Sequence, residues 1–86
     1  MKENRMDKYG FVMASEYRKE VVRKLDKSPT IPVNLSRLTG IHLSHISNTL
    51  EELKNENIVV CINPKRKKGR VYRLTNIGNW IAKRLI

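Results

Sequence analysis

Residues 40–75 read GIHLSHISNTLEELKNENIVVCINPKRKKGRVYRLT. Apolar residues first recur at helical spacing, then gather into a short β-branched run, and recur once more after a turn rich in lysine and arginine. This order predicts a helix over residues 43–55, a strand over 58–62, a turn over 63–70 and a second strand over 71–74. The two strands are expected to pair as a hairpin across the turn.

The turn over residues 63–70, called the basic turn below, concentrates positive charge. Five of the six residues 65–70 are lysine or arginine, and none is acidic. A solvated loop that serves only solubility tends to mix charges of both signs, and mutual repulsion makes a one-sign cluster costly unless an external polyanion compensates it. We therefore expect the basic turn to contact a DNA minor groove or its phosphates, with Gly69 permitting a tight turn. The cations expected to make this contact are Lys65, Arg66, Lys67, Lys68 and Arg70.

The helix predicted over residues 43–55 has an apolar and a polar face. At 100° per residue its apolar side chains fall within one arc, which is expected to face the core. They are Leu43, Ile46, Leu50 and Leu53. The N-terminal half of the polar face is the part that meets base edges in a recognition helix, because asparagine bonds adenine bidentately while serine and histidine serve bases or phosphates. The candidate contacts are Ser44, His45, Ser47 and Asn48. Glu51 and Glu52 follow where the helix is expected to leave the groove, and a merely solvated polar face is the alternative.

Two further helices are predicted before residue 40. Ser15 is a suitable N-cap for the first, which ends at Lys27-Ser28-Pro29. Its predicted apolar face is formed by Tyr17, Val21, Val22 and Leu25. The second begins at Thr30-Ile31-Pro32, where an early proline loses no N–H bond, and Gly40 closes it with a positive φ. Its apolar stripe is formed by Leu35 and Leu38. Two helices joined by three or four residues that include glycine are typical of a helix-turn-helix.

The two ends of the chain are interpreted differently. Residues 1–8 are charged and lack an apolar period, so we expect a flexible basic N-terminus. Residues 9–13 are apolar and rich in β-forming residues, which is typical of an edge strand or of an arm packed on a partner subunit. Thr75 is expected to cap a last helix. The apolar face of that helix is formed by Ile77, Ile81 and Leu85, with Trp80 beside them. Residues 9–86 are therefore predicted to form a single domain.

Composition restricts the class of protein. The chain has 86 residues and a formal net charge of +10, which makes phosphate the obvious counter-charge. This length makes one domain and leaves no room for a separate domain that binds a small-molecule effector. No apolar run approaches the roughly 18 residues of a spanning helix, no helix has the flanks of a membrane-surface segment, and no signal peptide precedes residue 9. Together with a lone cysteine, these features predict a cytoplasmic, nucleoid-associated domain without a membrane partner.

Metal binding and catalysis are not favoured by the residue pattern. His42 and His45 are three apart, but Cys61 lies in a predicted strand and no acidic ligand or cysteine pair accompanies them. A cap or core role is the better interpretation, so no metal or cofactor is predicted. The chain also lacks a Ser/His/Asp set, a convergent carboxylate pair and a Gly-rich phosphate loop, so we expect no enzyme.

Four motifs of the chain form a recognisable set. They are Tyr17-Arg18 after the serine cap, Pro29-x-x-Pro32, Gly40-Ile41-His42-Leu43-Ser44-His45-Ile46-Ser47, and Asn63-Pro64-x-x-Lys67-Lys68-Gly69-Arg70-x-Tyr72-x-Leu74-Thr75. In these motifs the chain resembles the small archaeal winged helix-turn-helix transcriptional regulators, a group that is similar to the MarR and ArsR classes. The resemblance covers about residues 9–78.

The resemblance implies a mainly α fold with a β-hairpin wing (α+β), duplex DNA as the ligand, and a two-fold homodimer. It implies base-reading positions at Ser44, His45, Ser47 and Asn48, and wing positions at Arg66, Lys67, Lys68 and Arg70. The chain departs from the pattern at Asn48, where arginine is frequent, and this weakens any inference about the preferred base. It also lacks the cysteine pair of metal-sensing ArsR proteins, so metal sensing is not implied.

The leading hypothesis is a sequence-specific double-stranded DNA-binding transcriptional regulator. Its recognition helix, residues 43–55, would lie in the major groove, and its basic wing, residues 63–70, on the flanking backbone or minor groove. Arg37 on the second predicted helix is a further candidate for a phosphate contact. Residues 9–13 and the last helix are the candidate dimer contacts. Two alternatives stay open: an architectural DNA-binding protein with little sequence preference, and a winged-helix protein-interaction module.

Overall fold

The computed structural model describes residues 4–85. This part of the chain is mainly helical, with one two-stranded antiparallel hairpin. The elements are α1 (Arg5–Met13), α2 (Glu16–Lys27), α3 (Pro32–Thr39), α4 (Leu43–Asn55), β1 (Val59–Cys61), β2 (Tyr72–Leu74) and α5 (Asn76–Ala82). No helix among residues 4–85 combines the length and the apolar character that crossing a bilayer requires.

Three of the predicted helix ends are confirmed by their capping residues, whereas α5 ends at Ala82, before Leu85, which was predicted to lie on it. Ser15 Oγ accepts a hydrogen bond from the Arg18 N–H at 3.2 Å, and Thr75 Oγ1 accepts one from the Gly78 N–H at 3.1 Å. Gly40 ends α3 with φ at 75°, a left-handed conformation that glycine adopts without steric cost. The helix predicted over residues 43–55 has those bounds.

The N-terminal segment is helical, so the interpretation of residues 9–13 as an edge strand is wrong. α1 begins at Arg5, inside the segment expected to be flexible, while residues 1–3 lie outside the described part of the chain. The side chain of Asn4 accepts hydrogen bonds from two backbone N–H groups of the first turn, both at 3.1 Å. The β-forming residues are helical here because Val12 is fully buried in the core, and tertiary packing outweighs local propensity.

The hairpin pairs as predicted, but its strands are shorter than predicted. Val59 lies opposite Leu74 and Cys61 opposite Tyr72. β1 starts one residue late because the Ile58 N–H donates to the Leu53 carbonyl at 2.9 Å and so terminates α4 instead of joining the ladder. On the edge of β2 that faces away from β1, Tyr72 exchanges two backbone hydrogen bonds with Thr30, at 2.9 and 3.1 Å. This bridge holds the start of α3 beside the hairpin.

The core lies where α2 and α4 meet the hairpin, with α1 and α5 packed around them. Its completely buried members include Val12, Val21, Val22, Leu35, Ile46, Leu53, Ile58 and Ile81. Three residues predicted to face the core are instead exposed, with exposed fractions of 42%, 55% and 40% for Tyr17, Leu38 and Leu43. Each of these residues lies within two residues of a helix end. At these positions no neighbouring helix or strand among residues 4–85 covers the apolar face of the helix. Leu25 and Leu53 also lie two residues from a helix end but are buried, so periodicity alone did not distinguish covered helix ends from uncovered ones.

One glycine is required by close packing. Gly78 faces the segment that leads into β1, where a Cβ would overlap the carbonyl oxygen of Ile58 and would lie 3.0 Å from Leu74 Cβ. The missing side chain lets α5 approach the backbone of the hairpin directly.

Candidate nucleic-acid interface

The polar face of α4 begins at a histidine cap. His42 Nδ1 accepts a hydrogen bond from the Ser44 N–H at 3.2 Å and lies 2.9 Å from Ser44 Oγ. His42 is therefore the N-cap of α4, and its side chain holds the first turn of the helix. The four predicted base-reading residues, Ser44, His45, Ser47 and Asn48, are all exposed on this helix.

His45 is flanked by two other rings. The ring of Tyr17, on α2, lies 5.2 Å from the His45 ring, centroid to centroid, with an interplanar angle of 38°. The His42 ring lies 6.3 Å away, nearly edge-on. These contacts restrict the imidazole of His45 at the start of α4. Sequence periodicity assigned Tyr17 to the core and had no signal for this contact, because it joins two different helices.

The basic turn is shaped by one carboxamide. Asn63 Nδ2 donates to the Gly69 carbonyl at 3.1 Å, and Asn63 Oδ1 accepts from the Val71 N–H at 2.8 Å. Gly69 has φ at 69°, and the Ile62 N–H donates to the Val71 carbonyl at 2.9 Å across the base of the turn. The Asn63 carboxamide and the Ile62–Val71 backbone bond thus close the base of the turn.

The cations of the basic turn face solvent without acidic partners. Residues 64–70 are all exposed, and among residues 4–85 no carboxylate oxygen lies within 4.0 Å of their side-chain nitrogens. Two arginines donate to the turn's own carbonyls: Arg66 Nε to Lys68 O at 3.1 Å, and Arg70 Nε to Arg66 O. The ammonium groups of the three lysines remain available to an external anion.

α4 and the basic turn form the two sides of a groove of about 510 Å³. The helix contributes Leu43, Ser47, Leu50 and Glu51 to its lining, and the turn contributes Lys67, Lys68, Gly69 and Arg70. Ile31, Pro32, Val33 and Tyr72 complete the lining. Four predicted contact residues, Ser47, Lys67, Lys68 and Arg70, are therefore brought into one groove. The apolar members of the lining were not predicted as part of a site, because their pattern is also that of a core.

The remaining predicted contact residues lie outside this groove in the described part of the chain. Ser44, His45 and Asn48 are exposed elsewhere on the N-terminal half of α4. Lys65 and Arg66 are exposed in the basic turn. Arg37 is exposed on α3, where its Nη1 donates to Asn34 Oδ1 at 3.4 Å.

Two carboxylates on the C-terminal half of α4 are paired with cations. Glu51, which lines the groove, lies 3.1 Å from Lys54 Nζ, and Glu52 lies 3.1 Å from Arg18 Nε. Pairing reduces the repulsion that these acids would exert on a polyanion running along the helix.

The preceding helices hold the C-terminal half of α4 from one side. Lys8 Nζ on α1 donates to the Glu56 backbone carbonyl at 2.7 Å, which places a positive charge at the negative end of the α4 dipole. Arg18 on α2 pairs with Glu52, donates from Nη1 to the Phe11 carbonyl at 2.8 Å, and stacks 3.7 Å from the centroid of the Phe11 ring. Arg18 therefore links α1, α2 and α4.

Arg18→Gln is expected to lower the free energy of unfolding by about 1–2 kcal/mol. The substitution removes the stack on Phe11, the hydrogen bond to its carbonyl, and an ion pair that solvent screens because Glu52 is half exposed. Urea denaturation followed by circular dichroism measures the change.

Lys19→Gln is the matched control for Arg18, on the same helix. Lys19 pairs with Glu16 one turn away, and its hydrogen bond and positive charge lower the pKa of that carboxyl. This pair lies within one turn of α2 and its carboxylate is exposed, so the denaturation midpoint is expected to change less than in Arg18→Gln. Equal shifts of the denaturation midpoint in Arg18→Gln and Lys19→Gln would contradict the role of Arg18 in linking α1, α2 and α4.

Metal-ligating side chains are not assembled in the described residues. Among residues 4–85 no group of three His, Cys, Asp or Glu side chains is placed to hold a metal ion. Cys61 is a free, half-buried thiol on β1, with its Sγ 3.5 Å from Asn63 Oδ1.

Comparison with known proteins leaves the function to be inferred from this geometry. A scan of the chain against models of known families gives no match, and a search of curated proteins gives no significant relative. The resemblance to winged helix-turn-helix regulators therefore stays a prediction.

Proposed function

We propose that this chain is a double-stranded DNA-binding transcriptional regulator with a winged helix-turn-helix fold. α3 and α4, joined by the three residues 40–42, are the helix-turn-helix pair, and the hairpin with its basic turn is the wing. The observation that carries the proposal is the exposed polar face of α4 together with a basic turn whose cations have no acidic partner among the described residues. Ser47 of that face lines one groove with three of these cations.

The two sides of this groove have different roles in the proposal. α4 enters the major groove, which is wide enough for one helix, and reads base edges with its exposed polar residues. These are Ser44, His45, Ser47 and Asn48. The basic turn lies on the flanking backbone or minor groove and supplies affinity without sequence information. Its cations are Lys65, Arg66, Lys67, Lys68 and Arg70, and Arg37 adds a phosphate contact.

We also propose that the protein acts as a homodimer in the cytoplasm, associated with the nucleoid. Two-fold symmetry of the protein would then be matched by half-sites about 10 bp apart. If each protomer neutralises about four phosphates, the logarithm of the binding constant should fall with the logarithm of salt concentration with a slope near −7. A slope near zero would contradict the electrostatic part of the proposal.

Selection of bound duplexes from a random pool at about 0.15 M salt, followed by sequencing, tests this function. Enrichment of a palindrome with half-sites one helical turn apart is the expected result. Binding without enrichment would replace the proposal with an architectural role. No binding at low salt would overturn both and favour a protein-interaction module.

Asn48→Ala is expected to change the base preference of the protein. Loss of a bidentate contact to adenine should lower affinity for the selected site about 5- to 100-fold, with affinity for random duplex nearly unchanged. Asn55→Ala, at the exposed last position of the same helix, is the matched control and should leave both affinities unchanged. Competition binding monitored by fluorescence anisotropy measures both. A uniform loss across sequences in Asn48→Ala would contradict its base-reading role.

A further inference from the structure

Leu43 occupies an unusual position for a large apolar residue. It lies on the apolar arc of α4 with Ile46 and Leu50, which are 0% and 1% exposed, yet it is itself 40% exposed. A single exposed leucine needs no explanation on its own. This one, however, lines the same groove as Lys67 and Lys68.

A second exposed apolar residue lies in the same groove. Val33, at the start of α3, is 50% exposed. The groove lining therefore combines two exposed apolar side chains from the helices with lysines of the basic turn that have no acidic partner among the described residues. A simple anion would leave these apolar side chains in water, and a purely apolar ligand would leave the cations without counter-charges. A ligand that presents apolar groups beside a row of phosphates satisfies both.

The major groove of duplex DNA presents such a surface, because thymine projects a C5-methyl group between the phosphate backbones. We propose that Leu43 contacts the C5-methyl group of a thymine while Lys67 and Lys68 bind phosphates of the adjacent backbone. This inference rests on the proposed function, since it requires α4 in the major groove. The inference further requires that each half-site contain at least one A·T pair whose thymine methyl group contacts Leu43.

Replacement of thymine by deoxyuridine in the selected site tests this contact. The exchange removes only the methyl group and preserves base pairing, so it isolates the apolar contribution. With the unmodified protein, deoxyuridine at one position in each half-site is expected to weaken binding about 4-fold per half-site, the equivalent of one buried methyl group. Deoxyuridine at the other thymines should have little effect.

Leu43→Ala distinguishes this residue from others that could read the same methyl group. The variant is expected to bind the thymine site about as weakly as the unmodified protein binds the deoxyuridine site, and to lose nothing further when deoxyuridine is introduced. Because the two DNAs are compared with one protein sample, any change in the folded fraction cancels. Leu38→Ala is the matched control, since this leucine is 55% exposed on α3 and outside the groove lining among the described residues. It should keep the full sensitivity to deoxyuridine.

The outcomes separate this inference from the function on which it rests. Salt-dependent binding to a selected site that is indifferent to deoxyuridine, or that contains no thymine, overturns the role of Leu43 and leaves DNA binding intact. Sensitivity to deoxyuridine that persists in Leu43→Ala assigns the methyl contact to another residue and also overturns it. Absence of binding to any duplex overturns the proposed function itself.

Discussion

Replacing Lys67 and Lys68 together with glutamine is expected to weaken binding to every duplex sequence about 30-fold per protomer at 0.15 M salt. Both side chains are exposed on one side of the groove, and neither has an acidic partner among residues 4–85. Each lysine that neutralises a phosphate releases about 0.9 counterion, which corresponds to about 5-fold in affinity at this salt concentration. The salt slope should therefore become shallower by about 2 per protomer, as measured by titrations between 0.05 and roughly 0.3 M salt.

The control for this pair removes the same charge elsewhere. Lys27 and Lys83 are exposed at the ends of α2 and α5, and neither lines the groove in the described structure. Glutamine at both positions is expected to reduce affinity for DNA less than about 3-fold, because it weakens only the overall electrostatic field of the protein. Equal losses in the two double variants would mean that net charge, not the groove, drives binding. An altered base preference in the Lys67/Lys68 variant would contradict assignment of the basic turn to the backbone.

Gly78→Ala is expected to lower the free energy of unfolding by about 3 kcal/mol. The new Cβ would overlap the backbone carbonyl of Ile58, which a rotamer change cannot relieve, and would also press on Leu74. α5 would have to move away from the hairpin, exposing apolar surface that Ile81 and its neighbours now bury. For a chain of this size the loss corresponds to a fall of about 15 °C in Tm, measured by thermal denaturation.

Gly10→Ala provides a matched control with the opposite sign. Gly10 lies in the middle of α1, and within the described residues a Cβ there would have no neighbour within 4 Å beyond the adjoining part of its own helix. Alanine in an open helical position should stabilise the protein by about 0.5–1 kcal/mol, because it lowers the conformational entropy of the unfolded chain. Destabilisation by both substitutions would indicate that these helices do not tolerate replacement of glycine by alanine at either position, whatever the local packing. Stabilisation by both would refute the close approach of α5 to Ile58.

Helix caps and turns could be predicted from the sequence where the contacts that form them lie within one turn of the chain. Ser15 and Thr75 cap their helices through contacts within one turn, and Gly40 ends α3 with a positive φ that its neighbours cannot adopt cheaply. The bounds of α4 and the antiparallel hairpin followed from apolar spacing and turn residues. The one-sign charge of the basic turn is also a property of sequence alone.

The surface that covers each helix face, and the contacts between residues far apart in the chain, depend on tertiary packing and could not be predicted from local patterns. Val12 is buried against other helices, and this packing makes α1 a helix although its residues favour strands. The spacing of apolar residues defines the apolar face of a helix but does not show how much of that face other elements cover. It therefore could not reveal that Leu43 is exposed to a groove. The contacts of Lys8 and Arg18 with α4 join segments far apart in the chain, and no local pattern encodes such pairs. The groove likewise exists only because the Thr30–Tyr72 bridge and the hairpin bring α3, α4 and the basic turn together.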